Sequence, residues 1–294
     1  FRSEPVLVVD PEGFVRAFDP ALWIDPQGRL WLFWAQSKYW YDGRAGVWAM
    51  VCQNPDDDFP AWSLPRRICN GVMMNKPTVV SDGMWLLPAC VWSHIEPYLP
   101  EMEGERFSNV IASYDNGRSF ARRGYAIVPD RTYDEHMVVE LNDKRLWMLV
   151  RTKYGIGQSF SSDGGFTWSP GTPTELGGPN SRFFIRRLRS GRLLLVNHWK
   201  FTGRSHLTAL FSDDDGKTWN EGLLLDERQG VSYPDGVQGE DGRIYIIYDY
   251  QRGGPRAPSA AKEILMAVFT EDDLVRKNTS SSTVLLKQVV NKAG

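Results

Sequence analysis

The stretch from Ser161 to Trp168 reads Ser-Ser-Asp-Gly-Gly-Phe-Thr-Trp, and two other stretches repeat its pattern. Ser113 to Phe120 reads Ser-Tyr-Asp-Asn-Gly-Arg-Ser-Phe, and Ser212 to Trp219 reads Ser-Asp-Asp-Asp-Gly-Lys-Thr-Trp. The shared form is Ser-x-Asp-x-Gly-x-(Ser/Thr)-aromatic. The serines are 48 and 51 residues apart, and a period of that length signals a repeat architecture. Short Ser and Asp side chains bond nearby backbone N–H groups and close a turn. Glycine supplies a backbone angle that side chains resist. The aspartates therefore read as turn-builders and not as reacting groups. Weaker traces lie at Asn54 to Trp62 and at Thr270 to Asp273.

A second repeat keeps step with the first. A Gly or Asp turn precedes a short apolar run at Gly28–Phe33, Gly83–Leu87, Asp143–Met148, Gly191–Leu195 and Gly242–Ile246. Apolar runs of this length between turn signals read as buried strands. Spacings near 50 residues fit four-stranded blades, and 294 residues then predict six of them in one domain, residues 1–294. Pairing of Val6–Val9 with Val284–Val290 is expected to close the ring. The 12 tryptophans suit buried strands and, where exposed, stack on sugar rings.

Composition removes several function classes. A net charge of -2 gives no electrostatic case for nucleic acid. No apolar run reaches the length of a membrane span. Cys52, Cys69 and Cys90 show neither disulfide nor metal-ligand spacing, so no cofactor is expected and a chelator should change little. The sequence starts at Phe1 and not at Met, which fits either a removed leader or a trimmed chain, and a secreted or periplasmic setting is expected.

The three turns, known as Asp boxes, and the strand grammar between them resemble the sialidase superfamily over most of the chain. Further segments carry the resemblance. Asp134-Glu135-His136 before the strand that ends at Arg151 is similar to the family's glutamate segment. The resemblance implies Glu135 as a catalytic base and Arg151 as a carboxylate-binding arginine. Arg204, just before the third box, matches another such arginine, and Tyr233, in Ser232-Tyr233-Pro234, matches the nucleophilic tyrosine. Arg182, His136 and Arg44 are further candidates for the substrate, and Asp42, in Trp40-Tyr41-Asp42-Gly43, stands where the acid is expected.

The chemistry suits these residue types. A sugar with a carboxylate on its anomeric carbon repels a carboxylate nucleophile, and a tyrosine escapes that repulsion. Arginines grip the sugar carboxylate with paired hydrogen bonds. The family's first-blade segment is Phe-Arg-Ile-Pro. Here the stretch is Arg16-Ala17-Phe18-Asp19-Pro20, with Phe18 at the arginine position. That departure widens the expected substrate from sialic acid to related acidic sugars, uronic acids included. Asp19-Pro20 also resembles the catalytic-base segment of inverting glycosidases with five-bladed propellers, which makes Asp19 a catalytic candidate. The expected activity is an exo-acting glycoside hydrolase on an oligosaccharide or glycoconjugate. Two alternatives stand beside it: an inverting hydrolase or lyase on uronic acid-containing oligosaccharides, and a carbohydrate-binding propeller without catalysis.

Overall fold

Each of the five turn-plus-apolar runs becomes the second strand of a four-stranded antiparallel sheet. The computed structural model describes residues 7–253 and 260–293. The first sheet holds β1 (Val15–Ile24), β2 (Leu30–Lys38), β3 (Gly46–Cys52) and β4 (Arg66–Asn70). The second holds β5 (Thr78–Val79), β6 (Trp85–Cys90), β7 (Ser108–Ser113) and β8 (Ala121–Ala126). The third holds β9 (Met137–Glu140), β10 (Leu146–Thr152), β11 (Gly155–Ser161) and β12 (Thr172–Pro173). The fourth holds β13 (Phe184–Arg187), β14 (Leu193–His198), β15 (Leu207–Ser212) and β16 (Asn220–Asp226). The fifth holds β17 (Val231–Gln238), β18 (Arg243–Tyr250), β19 (Glu263–Thr270) and β20 (Leu285–Lys292). Strands follow chain order within every sheet, the meander of a propeller blade.

Five blades, not six, stand among the described residues. Dividing the length by the repeat period overcounts, because long connections use the surplus. Residues 91–107 link β6 to β7 and contain a 3-10 turn at Pro100–Glu105. Residues 271–284 link β19 to β20 and contain the helix α1 (Glu271–Arg276). The trace at Thr270–Asp273 is this helix's start: Thr270 and Asp273 form a reciprocal capping box. Nor is the expected pairing of Val6–Val9 with Val284–Val290 found among the described residues. Val6 lies outside the described residues, residues 7–9 form no strand, and β20 pairs with β19.

The chain divides into two compact units. One comprises Phe1–Ile127, Thr132–Val138 and Ser161–Pro170; the other comprises Val128–Arg131, Val139–Phe160 and Gly171–Gly294. Within the first, Trp31 stacks on Phe33 at 5.5 Å and meets Trp85 edge-on at 5.6 Å. Trp31 also donates its indole N–H to Asp25 over 2.8 Å, which satisfies the polar edge of a buried ring. Within the second, every residue of β10 and β14 is buried, as expected of strands covered on both faces.

All three boxes close the hairpin between the third and fourth strands of a sheet. In the second box Ser161 donates to Asp163 over 2.8 Å, and Asp163 accepts from the Thr167 hydroxyl over 2.6 Å and from the Thr167 N–H over 3.0 Å. These bonds hold Asp163 down to about 2, with the Thr167 hydroxyl as the main cause. The box glycine lies over a tryptophan of a second strand. A Cβ on Gly117, at φ 79°, would come within 2.6 Å of Trp85, and one on Gly216, at φ 83°, within 2.5 Å of Trp147.

Candidate functional site

The first strand of the fifth sheet carries a bulge at Tyr233. Ser232 faces Asp249 and Asp235 faces Ile247, so Tyr233 and Pro234 stand opposite one residue, Tyr248. Tyr233 takes φ 58°, a left-handed conformation that costs a non-glycine residue about 1–3 kcal/mol. Bulges re-aim side chains beside functional sites. The first sheet repeats the device: Phe18 faces Ala35, Ala21 faces Phe33, and Asp19, at φ 52°, precedes Pro20. Asp19 in its blade is thus the positional counterpart of Tyr233 in its own.

Within the second unit, arginines gather around Tyr233. Arg151, buried at the end of β10, donates to the Tyr233 hydroxyl over 2.8 Å and to the Asn180 side-chain oxygen over 2.6 Å. The Arg204 guanidinium lies 5.4 Å from the centre of the tyrosine ring. Arg252 lies closer, at 3.4 Å. Asp249 anchors this pair, bonding Arg252 directly and accepting from Ser232 over 2.6 Å. Ser232 in turn accepts from Arg204 at 3.5 Å. Arg182 is buried and pairs with Asp235 of β17 at 3.4 Å. Three arginines thus meet one phenol, and Asp249 offsets part of their charge.

His198 ends β14 beside this group and is fully buried. Burial pushes its imidazole down to about 4, the Arg204 charge adds to that, and the Ser205 carbonyl, 2.9 Å away, opposes it. The ring is neutral at physiological pH.

The remaining sequence candidates lie in the first unit. Tyr133, Asp134 and Glu135 take consecutive left-handed φ values of 55°, 55° and 42°. Asn75 clamps this turn by donating to the Glu135 carbonyl over 2.7 Å and the His136 carbonyl over 3.0 Å. Glu135 is buried, and His136 is buried with Nε2 against the Asn109 carbonyl at 2.8 Å. Trp92 packs against Phe18, Tyr41 and Tyr133 nearby, and Trp40, more than half exposed, extends the aromatic group to solvent.

Two candidates are turned to other work. Arg44 pairs with Glu101 at 2.5 Å on the surface. For Asp42, burial is the largest influence and raises the carboxyl, but bonds from the Ser37 hydroxyl and the Arg44 N–H outweigh it and hold the group low. A carboxyl held ionised is poorly matched to protonating a leaving group.

Arg252, Asp249 and Asn180 escaped the sequence reading. The signal for Arg252 was positional. Arg151 and His198 sit at the ends of second strands, and Arg252 follows the end of the second strand β18 by two residues.

Among the described residues no helix is long and apolar enough to cross a membrane. No curated protein matches the chain. Solved structures do. The intramolecular trans-sialidase of Ruminococcus gnavus superposes with a TM-score of 0.66 at 16% identity, over 90% of this chain and 80% of that one. A Hadza microbial sialidase gives 0.65 at 21% identity, over 80% of this chain and 50% of the other, so this chain matches half of that protein's length. A Dyadobacter fermentans protein of unknown function gives 0.61 at 16%, over 96% of this chain and 86% of that one. At these identities the likeness shows the fold, an all-β propeller of the sialidase type. The family model described as BNR repeat-like domain matches residues 3–246, and the chain therefore belongs to that family.

Proposed function

We propose that this protein is a glycoside hydrolase that removes a terminal acidic sugar from a glycan. One observation carries the reading: a strained tyrosine whose hydroxyl accepts from Arg151 and whose ring lies under Arg252 and Arg204. Tyr233 attacks the anomeric carbon as its oxygen loses a proton. The glycosidic C–O bond breaks, and the leaving oxygen takes a proton from an acid. Water then cleaves the tyrosyl–sugar bond. Arg204 and Arg252 receive the sugar carboxylate, and Arg151 holds the phenol. The sequence resemblance gives Glu135 the role of base. Asp19 is the preferred acid, because Asp42 is held ionised.

A second reading has its own support. Five blades with a bulged Asp19-Pro20 in the first strand fit an inverting hydrolase on uronic acid-containing oligosaccharides. In that reading Asp19 activates water and Tyr233 is dispensable.

A panel of aryl sialosides, aryl uronides and neutral aryl hexosides separates them. The first reading expects turnover of acidic sugars only, with retained anomeric configuration and loss in Tyr233→Phe. Inverted product with Tyr233→Phe still active would replace it by the second. Binding without turnover of any acidic sugar would make the protein a carbohydrate-binding propeller.

A further inference from the structure

We propose that the cavity beside the third Asp box is a second glycan site, one that takes a neutral sugar ring. The cavity measures about 500 Å³, within the usual range of about 300–1,000 Å³ for small-molecule pockets. Its lining comes from β10, β11, the turn before β10 and the box turn, all within the second compact unit.

One exchange between blades opens it. Ala49 and Gln158 are each the fourth residue of a third strand, and each faces a residue of the fourth strand: Ala49 faces Arg66, and Gln158 faces Thr172. Arg66 lies 5.5 Å from the centre of the Trp31 ring, donates to the Arg118 carbonyl over 2.8 Å and bonds the Gly117 carbonyl as well, so it fills the groove between Trp31 and the first box. Thr172 is too short for that work, and β12 holds only two residues. Trp147 and Phe160, parallel within 2° and 6.0 Å apart, thus wall an open groove and not a plugged one.

The lining chemistry selects the ligand. Aromatic side chains pack against the C–H face of a sugar ring. The polar groups around them both donate and accept, as sugar hydroxyls require. Trp147 donates to Gln158 Oε1 over 3.0 Å, which sets the amide with its nitrogen as donor, and that nitrogen makes one bond, to the Pro173 carbonyl at 3.4 Å. The charges cancel. Asp143 pairs with Arg145 at 2.8 Å and Asp215 with Arg187 at 2.5 Å, while Asp214 and Lys217 add one charge of each sign. A sugar carboxylate therefore finds no cluster of cations here, in contrast to the surroundings of Tyr233. The Asn142 N–H binds Asp215 Oδ2 over 2.6 Å, which ties the turn before β10 to the box and keeps the cavity preformed. The site stands whatever reaction Tyr233 performs. Beside a first glycan site it raises avidity for branched or repeating glycans.

Calorimetry on the whole chain tests this, with methyl glycosides of neutral hexoses and N-acetylhexosamines as probes and methyl glucuronide as the acidic comparator. At least one neutral glycoside should bind the wild-type chain, with affinity unchanged in Tyr233→Phe. Thr172→Arg, which puts an arginine at the place of Arg66, should weaken that binding at least about tenfold. If Thr172→Arg lowers Tm, Gln158→Ala takes its place with the same expected loss. No binding of any neutral glycoside, binding that survives the cavity variant, binding lost in Tyr233→Phe, or glucuronide affinity that falls as far in the cavity variant would each overturn the proposal. None of these readouts depends on glycan turnover.

Discussion

Arg151 donates a hydrogen bond to the Tyr233 hydroxyl over 2.8 Å and is itself locked by Asn180. Because the phenol oxygen accepts this bond, its own proton points away from Arg151. In the proposed reaction a fixed cation on that oxygen stabilises the charge that develops there as the proton leaves. Lysine keeps the charge but cannot reach both partners with a planar fork. Arg151→Lys should lower kcat/KM on an acidic aryl glycoside by about ten- to a hundredfold, the worth of a charge-assisted hydrogen bond. Steady-state kinetics with unchanged kcat/KM would remove Arg151 from the machinery.

Arg252 fills a need that the sequence left open. Phe18 stands where the resemblance calls for an arginine, and Arg252, just past β18 in the same sheet as Tyr233, lies over its ring. In the proposed reaction Arg252 receives the sugar carboxylate, so Arg252→Gln should raise KM, and the inhibition constant of the free acidic sugar, by at least about tenfold. Arg252→Lys should recover part of that loss. Equal effects on neutral and acidic ligands would show a purely structural role.

His198 makes stability depend on pH. Its native value of about 4 lies below the ordinary value near 6.5, so the unfolded chain binds its proton first as pH falls. The stabilisation is complete above about pH 6.5 and disappears as pH falls through about 4, a loss of about 3 kcal/mol. His198→Gln should flatten the Tm profile across that window, measured by thermal melts at fixed ionic strength. An unchanged slope would show that His198 is not the titrating group.

Asp163 belongs to the fold and not to the chemistry. Its carboxylate, held down to about 2 by Thr167 and Ser161, adds stability above the ordinary aspartate range that is lost as pH falls toward 2. Asp163→Ala should lower Tm while kcat at moderate temperature stays unchanged. A large fall in kcat with an unaltered Tm would contradict this assignment.

Much of this was legible in the sequence, for identifiable reasons. Buried strands bounded by turns leave a composition signal, so all five second strands were readable from runs such as Gly191–Leu195. Boxes leave a stronger one, because only certain side chains can bond a tight turn. Blade number was not legible from length, since connections such as residues 91–107 carry no repeat. Tyr233, Arg151 and Arg204 were found through their segments, and the structure brings them together. Arg252 follows its strand without a motif and meets Tyr233 through the pairing of β17 with β18 and the bulge in β17. Arg44 and Asp42 were placed by position in a loop, and position does not reveal that Glu101 and Ser37 hold them.

The most direct test of the central claim is to trap the covalent intermediate. An acidic sugar with two fluorines suits this: one leaves as fluoride, and the other slows hydrolysis of the adduct. Intact-mass measurement followed by peptide mapping should find one sugar per chain, attached to the peptide that contains Tyr233, and none on Tyr233→Phe. An adduct on a carboxylate such as Asp19, or no adduct with a sugar that the protein is found to turn over, would contradict the account.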